Sequence, residues 1–184
     1  PSSSNAHSNL GLAYYDAEDL IEAEASQKRA LSFDREFVAA LNNLGSIAHD
    51  NDDDVAAIKY YRAVLKAKPD YLETVNNLIS ILIETEALDD ARELADDDLM
   101  RAPHSSELNR NRGRLDAMAA DWDNAKKRFR DAIAFDETKA DAYVGLAQVL
   151  YEKNHIDLAL LEAEKAQRLD PEHASSYHYI AVCR

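Results

Sequence analysis

The chain has 184 residues, of which 46% are hydrophobic and 30% charged, the balance of a folded soluble protein that can bury a substantial core. Its formal net charge of −14 argues against non-specific nucleic-acid binding and against adhesion to anionic lipid, since both need a basic surface. No apolar run approaches the ~20 residues of a membrane span, and a single cysteine, Cys183, excludes an internal disulfide framework.

The predicted helices repeat along the chain with a period of 34 residues, first visible in the NLG triplets at 9–11 and 43–45. The period predicts five full repeats at 4–37, 38–71, 72–105, 106–139 and 140–173, and a partial sixth repeat or capping helix at 174–184. In each repeat we expect helix A at repeat positions 2–14 and helix B at positions 18–31, joined by a short polar turn. The repeats together predict a single domain over 1–184.

Small residues recur where the two helices of a repeat should meet. Position 20 is alanine in all five full repeats, at Ala23, Ala57, Ala91, Ala125 and Ala159. Position 8 is also small, except in repeat 3, which has Ile79. Such residues let the two helix backbones approach closely, and apolar residues around the contact fill the remaining space. Because no repeat can bury its apolar face alone, we expect neighbouring repeats to stack into a solenoid.

The segments NLGLAYY and NNLGSIA and the stretch AAIKYYRAVLKAKPD resemble the tetratricopeptide repeat (TPR) family, and the likeness extends over nearly the whole chain. The resemblance implies an all-α fold, a right-handed superhelical solenoid of antiparallel helix pairs. It also implies that helices A line a concave groove. It is less specific about function, since many unrelated systems use this family.

No catalytic or metal-binding pattern stands out. The segment HDNDDDVAA at 49–57 alternates Asp50, Asp52 and Asp54 as a calcium loop does, but Val55 and Tyr61 stand where an EF-hand needs Gly and Glu. In the repeat frame this segment is a turn before helix B, where Asp residues cap the helix and favour its start. The six histidines lack zinc-type spacing, and nucleophile or nucleotide-binding motifs are absent. We therefore expect no enzyme, no metal site and no cofactor.

Charged residues break the apolar pattern where repeats 3 and 4 should pack. Asp98 occupies position 27, which is otherwise small and apolar, and Arg112 and Asp116 occupy positions 7 and 11 of the next helix A. We predict a compensated Asp98–Arg112–Asp116 network, joined by Arg101. A softer joint and a polar but rigid seam are both compatible with such a network.

Asparagine recurs at one position of helix A. Position 6 is asparagine in the first four repeats (Asn9, Asn43, Asn77 and Asn111), and position 5 adds Asn42 and Asn76. In TPR proteins these positions point into the groove, so the resemblance implies a ladder of amides, similar to that of the O-linked N-acetylglucosamine transferase superhelix. An amide complements a peptide group and can bind the backbone of an extended peptide without reading its sequence. The alternative is an inherited residue without a binding role.

Two arginines are candidates for binding a negative charge. Arg110 and Arg114 are one helical turn apart in repeat 4 and so share a face. We expect them to grip an acidic side chain or a C-terminal carboxylate, unless they pair with neighbouring Asp and Glu. The two-carboxylate clamp of chaperone adaptors is not expected, since only Asn43 agrees with its pattern.

These features predict a non-enzymatic protein–protein interaction scaffold that binds an extended peptide or a partner helix in its groove. One alternative is the substrate-docking arm of a larger enzyme such as a glycosyltransferase, because the sixth repeat is partial. Another is a self-assembling scaffold that forms homo-oligomers by end stacking. Neither nucleic-acid binding nor membrane insertion is expected, and the compartment stays open, with the cytoplasm favoured.

Overall fold

The computed structural model describes residues 3–184, and within that range it contains eleven α-helices and no strand. The helices are α1 (Ser4–Asp16), α2 (Leu20–Phe33), α3 (Val38–Asp50), α4 (Asp54–Ala67), α5 (Leu72–Glu84), α6 (Leu88–Arg101), α7 (Ser106–Met118), α8 (Trp122–Phe135), α9 (Ala140–Glu152), α10 (Ile156–Leu169) and α11 (Ala174–Cys183). Odd-numbered helices are the helices A of successive repeats, and even-numbered helices are the helices B. The predicted all-α fold of helix pairs is confirmed.

The chain forms two compact units. The N-terminal unit contains α1–α5 and ends at Ala87, and the C-terminal unit contains α6–α11 and begins at Leu88. Within each unit, every helix packs against the next one along the chain. The boundary lies in the turn between the two helices of repeat 3, so a single domain over 1–184 stays a prediction.

Helices of the five full repeats begin and end one residue earlier than predicted, and the turn between helices A and B explains the shift. The residue at position 15 adopts a left-handed backbone conformation in all five turns, with φ between 56° and 61° (Glu18, Asp52, Glu86, Ala120 and Asn154). This conformation ends helix A, and the next N–H bonds back to the carbonyl five residues earlier. In the first turn, for example, the Asp19 N–H donates to the Tyr14 carbonyl at 2.9 Å.

Position 16 then caps helix B. The side chains of Asp19, Asp53 and Asp121 each accept a hydrogen bond from the backbone N–H three residues later. The acidic segment at 49–57 is therefore a turn and a helix cap, as the repeat frame predicted. Within it, Asp52 is the left-handed residue that ends helix A, and Asp53 is the cap of helix B.

Replacing Ala120 by glycine should stabilise the protein by up to about 1 kcal/mol, because Ala120 has φ 56° and a left-handed conformation costs an L-residue about 1–2 kcal/mol. The adjacent Ala119 is the control. It has φ −84°, so Ala119→Gly should only increase the entropy lost on folding and destabilise by about 0.5–1 kcal/mol. Urea unfolding of both variants measures the difference. A loss of stability in Ala120→Gly as large as that in Ala119→Gly would contradict the assignment.

The interior of each repeat is built on the small residues that the sequence singled out. The five position-20 alanines are fully buried. A Cβ added to Gly45 would lie 2.3 Å from an atom of the Tyr61 ring, so this ring packs directly on the backbone of α3. Phe129 packs in the same way on Gly113 and Gly145. The predicted close approach of helices A and B is thus confirmed in repeats 2 and 4.

The charged seam differs from the predicted network. The Arg112 Nε donates to Asp96 Oδ1 at 2.6 Å, and the Arg112 Nη1 donates to Asp116. Asp98 pairs instead with Arg101 at 3.1 Å, so the predicted Asp98–Arg112 contact is wrong and Asp96 takes the place of Asp98. Burial raises the pKa of both Asp98 and Asp116, against the opposing effects of Arg101 and Arg112.

Candidate functional site

Helices A of the N-terminal unit carry acidic and amide side chains but no Lys or Arg. Their carboxylates are Asp16, Asp50, Glu73 and Glu84. All seven Lys and Arg residues of this unit lie in α2, in α4 or in the loops that follow them. The helix A side of this unit is therefore electronegative and favours neutral or cationic groups.

A cleft of about 170 Å³, here called the Gln27 cleft, opens among α1, α2, α3 and α5. Its lining residues are Leu12, Tyr15, Gln27, Asn42, Asn43, Ser46, Ile47 and Glu73. Gln27 has no exposed surface and so forms the inner wall. The cleft combines apolar walls with amide, hydroxyl and carboxylate groups, as ligand-binding clefts do.

A second cleft of the same unit, here called the Tyr61 cleft, has about 180 Å³ and shares Tyr15 and Ser46 with the first. Its lining residues are Tyr15, Ser46, His49, Asp50, Tyr61, Asn77, Ser80 and Ile81. The Tyr15 hydroxyl donates to Asp50 Oδ2 at 2.5 Å, and this hydrogen bond, aided by burial, raises the pKa of Tyr15 to about 12. Tyr15 thus stays a neutral hydroxyl between the two clefts at ordinary pH.

The position-6 asparagines of the N-terminal unit are accessible. Asn9 is exposed, and Asn43 and Asn77 are half-buried beside the two clefts. Their amide nitrogens make only long hydrogen bonds, from Asn43 to Ser8 Oγ at 3.3 Å and from Asn77 to the Tyr61 hydroxyl at 3.4 Å. Such bonds are easily exchanged for shorter ones to a ligand.

Two other predicted site residues are buried. Asn42 is 4% exposed and lines the Gln27 cleft, and Asn111 is 0% exposed. Asn42 donates to Glu73 at 2.9 Å and accepts from Thr74 at 2.5 Å, which ties α3 to α5. The groove role of Asn42 and Asn111 stays a prediction. Asn76 is half-buried and donates to the Leu72 carbonyl of its own helix at 3.0 Å.

The predicted arginine pair lines a cleft of the C-terminal unit of about 350 Å³. Its lining residues are Arg110, Arg114, Phe129, Asp141, Val144, Gly145, Gln148, His173 and Ser175. Arg110 is internally paired, as the alternative predicted, because its Nη1 donates to Asp141 Oδ2 at 2.7 Å. His173 Nε2 binds the other oxygen of Asp141 at 2.8 Å. Burial raises the pKa of Asp141, but His173 and Arg110 outweigh it, so the pKa lies below its usual range.

The asparagine column ends in repeat 5 for a steric reason. Position 6 there is Gly145, and a Cβ on it would lie 2.3 Å from the Phe129 ring. An asparagine at this position would displace the ring from the core, so the column stops where an aromatic side chain needs the space.

Sequence reasoning missed the residues that shape the two N-terminal clefts. Gln27, Tyr15 and Ser46 were not singled out, although Gln27 gave a signal. It occupies position 24, where Tyr61 and Phe129 fill the core of other repeats. A polar residue at a core position is the informative exception.

His49 has a raised pKa that can be tested. Its Nδ1 lies 2.8 Å from Asp54 Oδ1 and its Nε2 lies 3.7 Å from Glu84 Oε2, and the hydrogen bond to Asp54 contributes most to raising the pKa of His49. Asp54→Asn should therefore lower this pKa in an NMR titration, whereas Asp53→Asn, which alters only the cap, should change it little.

The sign of the stability effect follows from the raised pKa of His49. The His49–Asp54 pair stabilises the protein fully below the unfolded-state pKa of His49, which is about 6.5. This contribution is lost as the pH rises through the folded-state pKa of His49. The stability difference between the wild type and Asp54→Asn should therefore be larger at pH 5.5 than at pH 8.5. An equal difference at both pH values would contradict the assignment.

The described residues contain neither a membrane-spanning helix nor a cluster of metal ligands. None of the helices of residues 3–184 is both long and apolar enough to cross a bilayer. Over the same residues, no three His, Cys, Asp or Glu side chains converge as metal ligands would. Cys183, at the end of α11, is a free thiol.

Helix pairs with a period of 34 residues and buried small residues at the A–B contact define an α-helical repeat protein. The family model described as tetratricopeptide repeat matches residues 9–71 and 110–174, which is more than half of the chain. The chain therefore belongs to the tetratricopeptide repeat family, and its fold is that of a protein–protein interaction scaffold.

Solved structures agree with this fold. A thermophilic TPR protein of Thermus thermophilus is similar with a TM-score of 0.78 and 19% identity over 98% of each chain. The type IV pilus biogenesis factor PilW is similar with a TM-score of 0.80 and 20% identity over 97% of this chain and 91% of PilW. YrrB, a TPR protein with an unusual peptide-binding site, is similar with a TM-score of 0.68 and 20% identity over 94% of this chain and 89% of YrrB. No curated protein matches the sequence significantly.

Proposed function

We propose that this chain is a non-enzymatic interaction module that holds an extended peptide of a partner protein on helices A of its N-terminal unit. The observation that carries the proposal is the accessible asparagine at position 6 of three successive repeats, Asn9, Asn43 and Asn77, of which the last two border clefts. The family supports it, since TPR proteins bind protein partners. YrrB has a peptide-binding site of its own, which supports the choice of a peptide as ligand.

The mechanism is recognition of the peptide backbone. Each asparagine amide donates to a peptide carbonyl and accepts from a peptide N–H, so its contribution is independent of the side chains that the peptide carries. One such hydrogen bond is worth about 0.5–1.5 kcal/mol, or roughly a three- to tenfold change in Kd. The clefts beside Asn43 and Asn77 then add side-chain preferences, as pockets do for other extended peptides.

Self-association is a second candidate function, favoured by one observation. Leu10 is 46% exposed, whereas Leu44, Leu78 and Leu146 at the same repeat position are at most 5% exposed. A second copy of the chain that packs on this apolar surface would form the end-stacked oligomer that the sequence left open. Light scattering of the purified chain at increasing concentration separates a monomeric scaffold from such an oligomer. In a larger enzyme, the same helix A surface would serve as a substrate-docking arm.

Selection from a library of random dodecapeptides on the immobilised chain tests peptide binding. Peptides that bind should bind Asn43→Ala/Asn77→Ala at least roughly tenfold more weakly, because the backbone hydrogen bonds of two asparagines are removed. Asn51→Ala, which changes an exposed amide of the same unit in the turn between α3 and α4, is the control and should bind like the wild type. Unchanged affinity in the Asn43/Asn77 variant, or a library without binders, would overturn the proposal.

A further inference from the structure

Gln27 has a hydrogen-bond acceptor that the protein itself leaves without a partner. The side chain is 0% exposed, and its Nε2 donates to the Ser8 carbonyl at 3.0 Å. This bond fixes the orientation of the amide, because only the nitrogen can donate to a carbonyl. The Oε1 atom is buried and has no hydrogen-bond partner among residues 3–184. Buried polar atoms almost always have a partner, so one that lacks it in a cleft wall is a candidate ligand contact.

Backbone packing keeps this amide in place. A Cβ on Gly11 would lie 2.5 Å from Gln27 Nε2, so the amide rests against the backbone of α1. Fixed groups of this kind bind a ligand without losing conformational freedom of their own.

The other polar groups of the Gln27 cleft also favour a ligand group that is positively charged and donates hydrogen bonds. Glu73 supplies a carboxylate, held in orientation because its Oε1 accepts from Asn42 at 2.9 Å while Thr74 holds Asn42 in turn. No Lys, Arg or His lines this cleft. The hydroxyl of Tyr15, on its rim, donates to the carboxylate of Asp50, which brings a second negative charge close by.

The size and apolar walls of the cleft fit the stem of a long basic side chain. A volume of about 170 Å³ is bordered by Leu12 and Ile47, against which methylene groups can pack. A small inorganic cation would find only one carboxylate among the lining residues, which is little negative charge for a Ca²⁺ or Mg²⁺ site. An anionic side chain would meet Glu73 without a compensating cation.

We infer that the Gln27 cleft receives a Lys or Arg side chain of the bound peptide, with the Glu73 carboxylate and Gln27 Oε1 as acceptors and Leu12 and Ile47 as walls for its stem. The inference rests on the proposed peptide-binding function and assigns the partner a basic residue at this place. Asn43 borders the same cleft and would hold the adjacent backbone of the peptide.

Two small molecules test the cleft without a peptide. N-acetyl-lysine N-methylamide should shift the side-chain amide NMR signals of Gln27 and Asn43 at millimolar concentration, and the norleucine analogue, which has the same stem without the charge, should bind at least fivefold more weakly. Glu73→Gln should weaken lysine amide binding about tenfold, and the effect should shrink at high salt, since the carboxylate is exposed. Glu107→Gln, at the same repeat position in repeat 4, is the matched control and should leave binding unchanged.

A second variant separates the roles of the two acceptors. Gln27→Met removes the acceptor oxygen, together with the Nε2 donor to the Ser8 carbonyl, but keeps a side chain of similar length. It should weaken lysine amide binding while the melting temperature shows that the protein is folded. Equal binding of the lysine and norleucine amides, no shift at Gln27 or Asn43, or full binding by Glu73→Gln would overturn the inference.

The peptide selection distinguishes this inference from the proposed function. Selected peptides that depend on Asn43 and Asn77 but show no enrichment of Lys or Arg would overturn the basic-residue inference and leave peptide binding intact. Enrichment of Lys or Arg that disappears when the selection is repeated on Glu73→Gln would support both. Lysine amide binding together with a library that yields no binder would support the cleft assignment and overturn the peptide-binding function.

Discussion

Replacing Arg112 by leucine is expected to destabilise the protein by about 3 kcal/mol, although leucine is the residue that other repeats carry at this position. Arg112 Nη1 donates to Asp116, and its Nε donates to Asp96 at 2.6 Å. Asp116 is 5% exposed, and burial already raises its pKa. Without Arg112, this carboxylate would be left charged and buried, which costs more than the new apolar contacts of leucine return.

The double variant Arg112→Leu/Asp116→Leu should restore stability to about the wild-type level. A buried ion pair that is replaced as a whole by apolar residues is often neutral or stabilising, because the desolvation cost of both charges is removed. Asp96→Asn is the control for the exposed partner and should cost at most about 1 kcal/mol, since exposed pairs contribute little. Guanidinium unfolding of the three variants measures these values, and a free energy of unfolding at or above the wild-type value in Arg112→Leu would contradict the account.

The pH dependence of Arg112→Leu provides a second check. A carboxylate with a raised pKa destabilises the folded state when it is charged, so its unfavourable effect is absent below the unfolded-state pKa and grows as the pH rises through the folded-state pKa. The stability deficit of Arg112→Leu should therefore be smaller at pH 4 than at pH 7. A deficit that is equal at both values would indicate lost packing instead of an uncompensated charge.

Replacing Gly45 by alanine is expected to destabilise the protein by about 1–2 kcal/mol, even though alanine is the better helix former by about 1 kcal/mol. The new Cβ would lie 2.3, 2.6 and 2.8 Å from three atoms of the Tyr61 ring. The ring is 2% exposed, and its hydroxyl lies 3.1 Å from Ser46 Oγ, so it has little freedom to move. Because Tyr61 and Asn77 line one cleft, a displaced ring should also change the side-chain NMR signals of Asn77.

Gly113→Ala is the matched control for Gly45→Ala. Its Cβ would lie 3.0–3.1 Å from the Phe129 ring, a contact that a shift of a few tenths of an ångström relieves. We therefore expect Gly113→Ala to be clearly less destabilising than Gly45→Ala. Thermal unfolding of both variants measures the order, and equal stability of the two would contradict the packing described for Tyr61.

The helix pairs could be predicted from sequence because small and apolar residues recur every 34 residues. The exact residues at which the helices begin and end could not be predicted. The left-handed residue that ends helix A is Glu, Asp, Glu, Ala or Asn in the five turns, so no residue type marks it. The repeat pattern predicts Asp98 at the seam because position 27 is otherwise small and apolar, and Asp98 is indeed 1% exposed. Its carboxylate nevertheless accepts from Arg101 of its own helix, while Asp96 contacts Arg112, and a repeat pattern does not show which of two nearby carboxylates an arginine reaches.

Only part of the candidate site could be predicted from the sequence. Asn43 and Asn111 share a residue type and a repeat position, yet Asn43 is half-buried and Asn111 is 0% exposed. The difference comes from neighbouring side chains, such as Arg110, whose Nη2 donates to Asn111 at 3.1 Å. Periodicity predicts which residues share a face of helix A. It does not predict which of them neighbouring side chains cover.

The central claim is that Asn43 and Asn77 bind the backbone of an extended peptide, and a scan of backbone N-methyl groups along a selected peptide tests it most directly. N-methylation removes one peptide N–H at a time and leaves every side chain in place. At the peptide positions that contact Asn43 or Asn77, N-methylation should weaken binding to the wild type about three- to tenfold. It should have no such effect on binding to Asn43→Ala/Asn77→Ala, because the asparagine oxygen that accepts from the peptide N–H is already missing there. N-methyl effects that are equal in the two proteins at every position would contradict the claim.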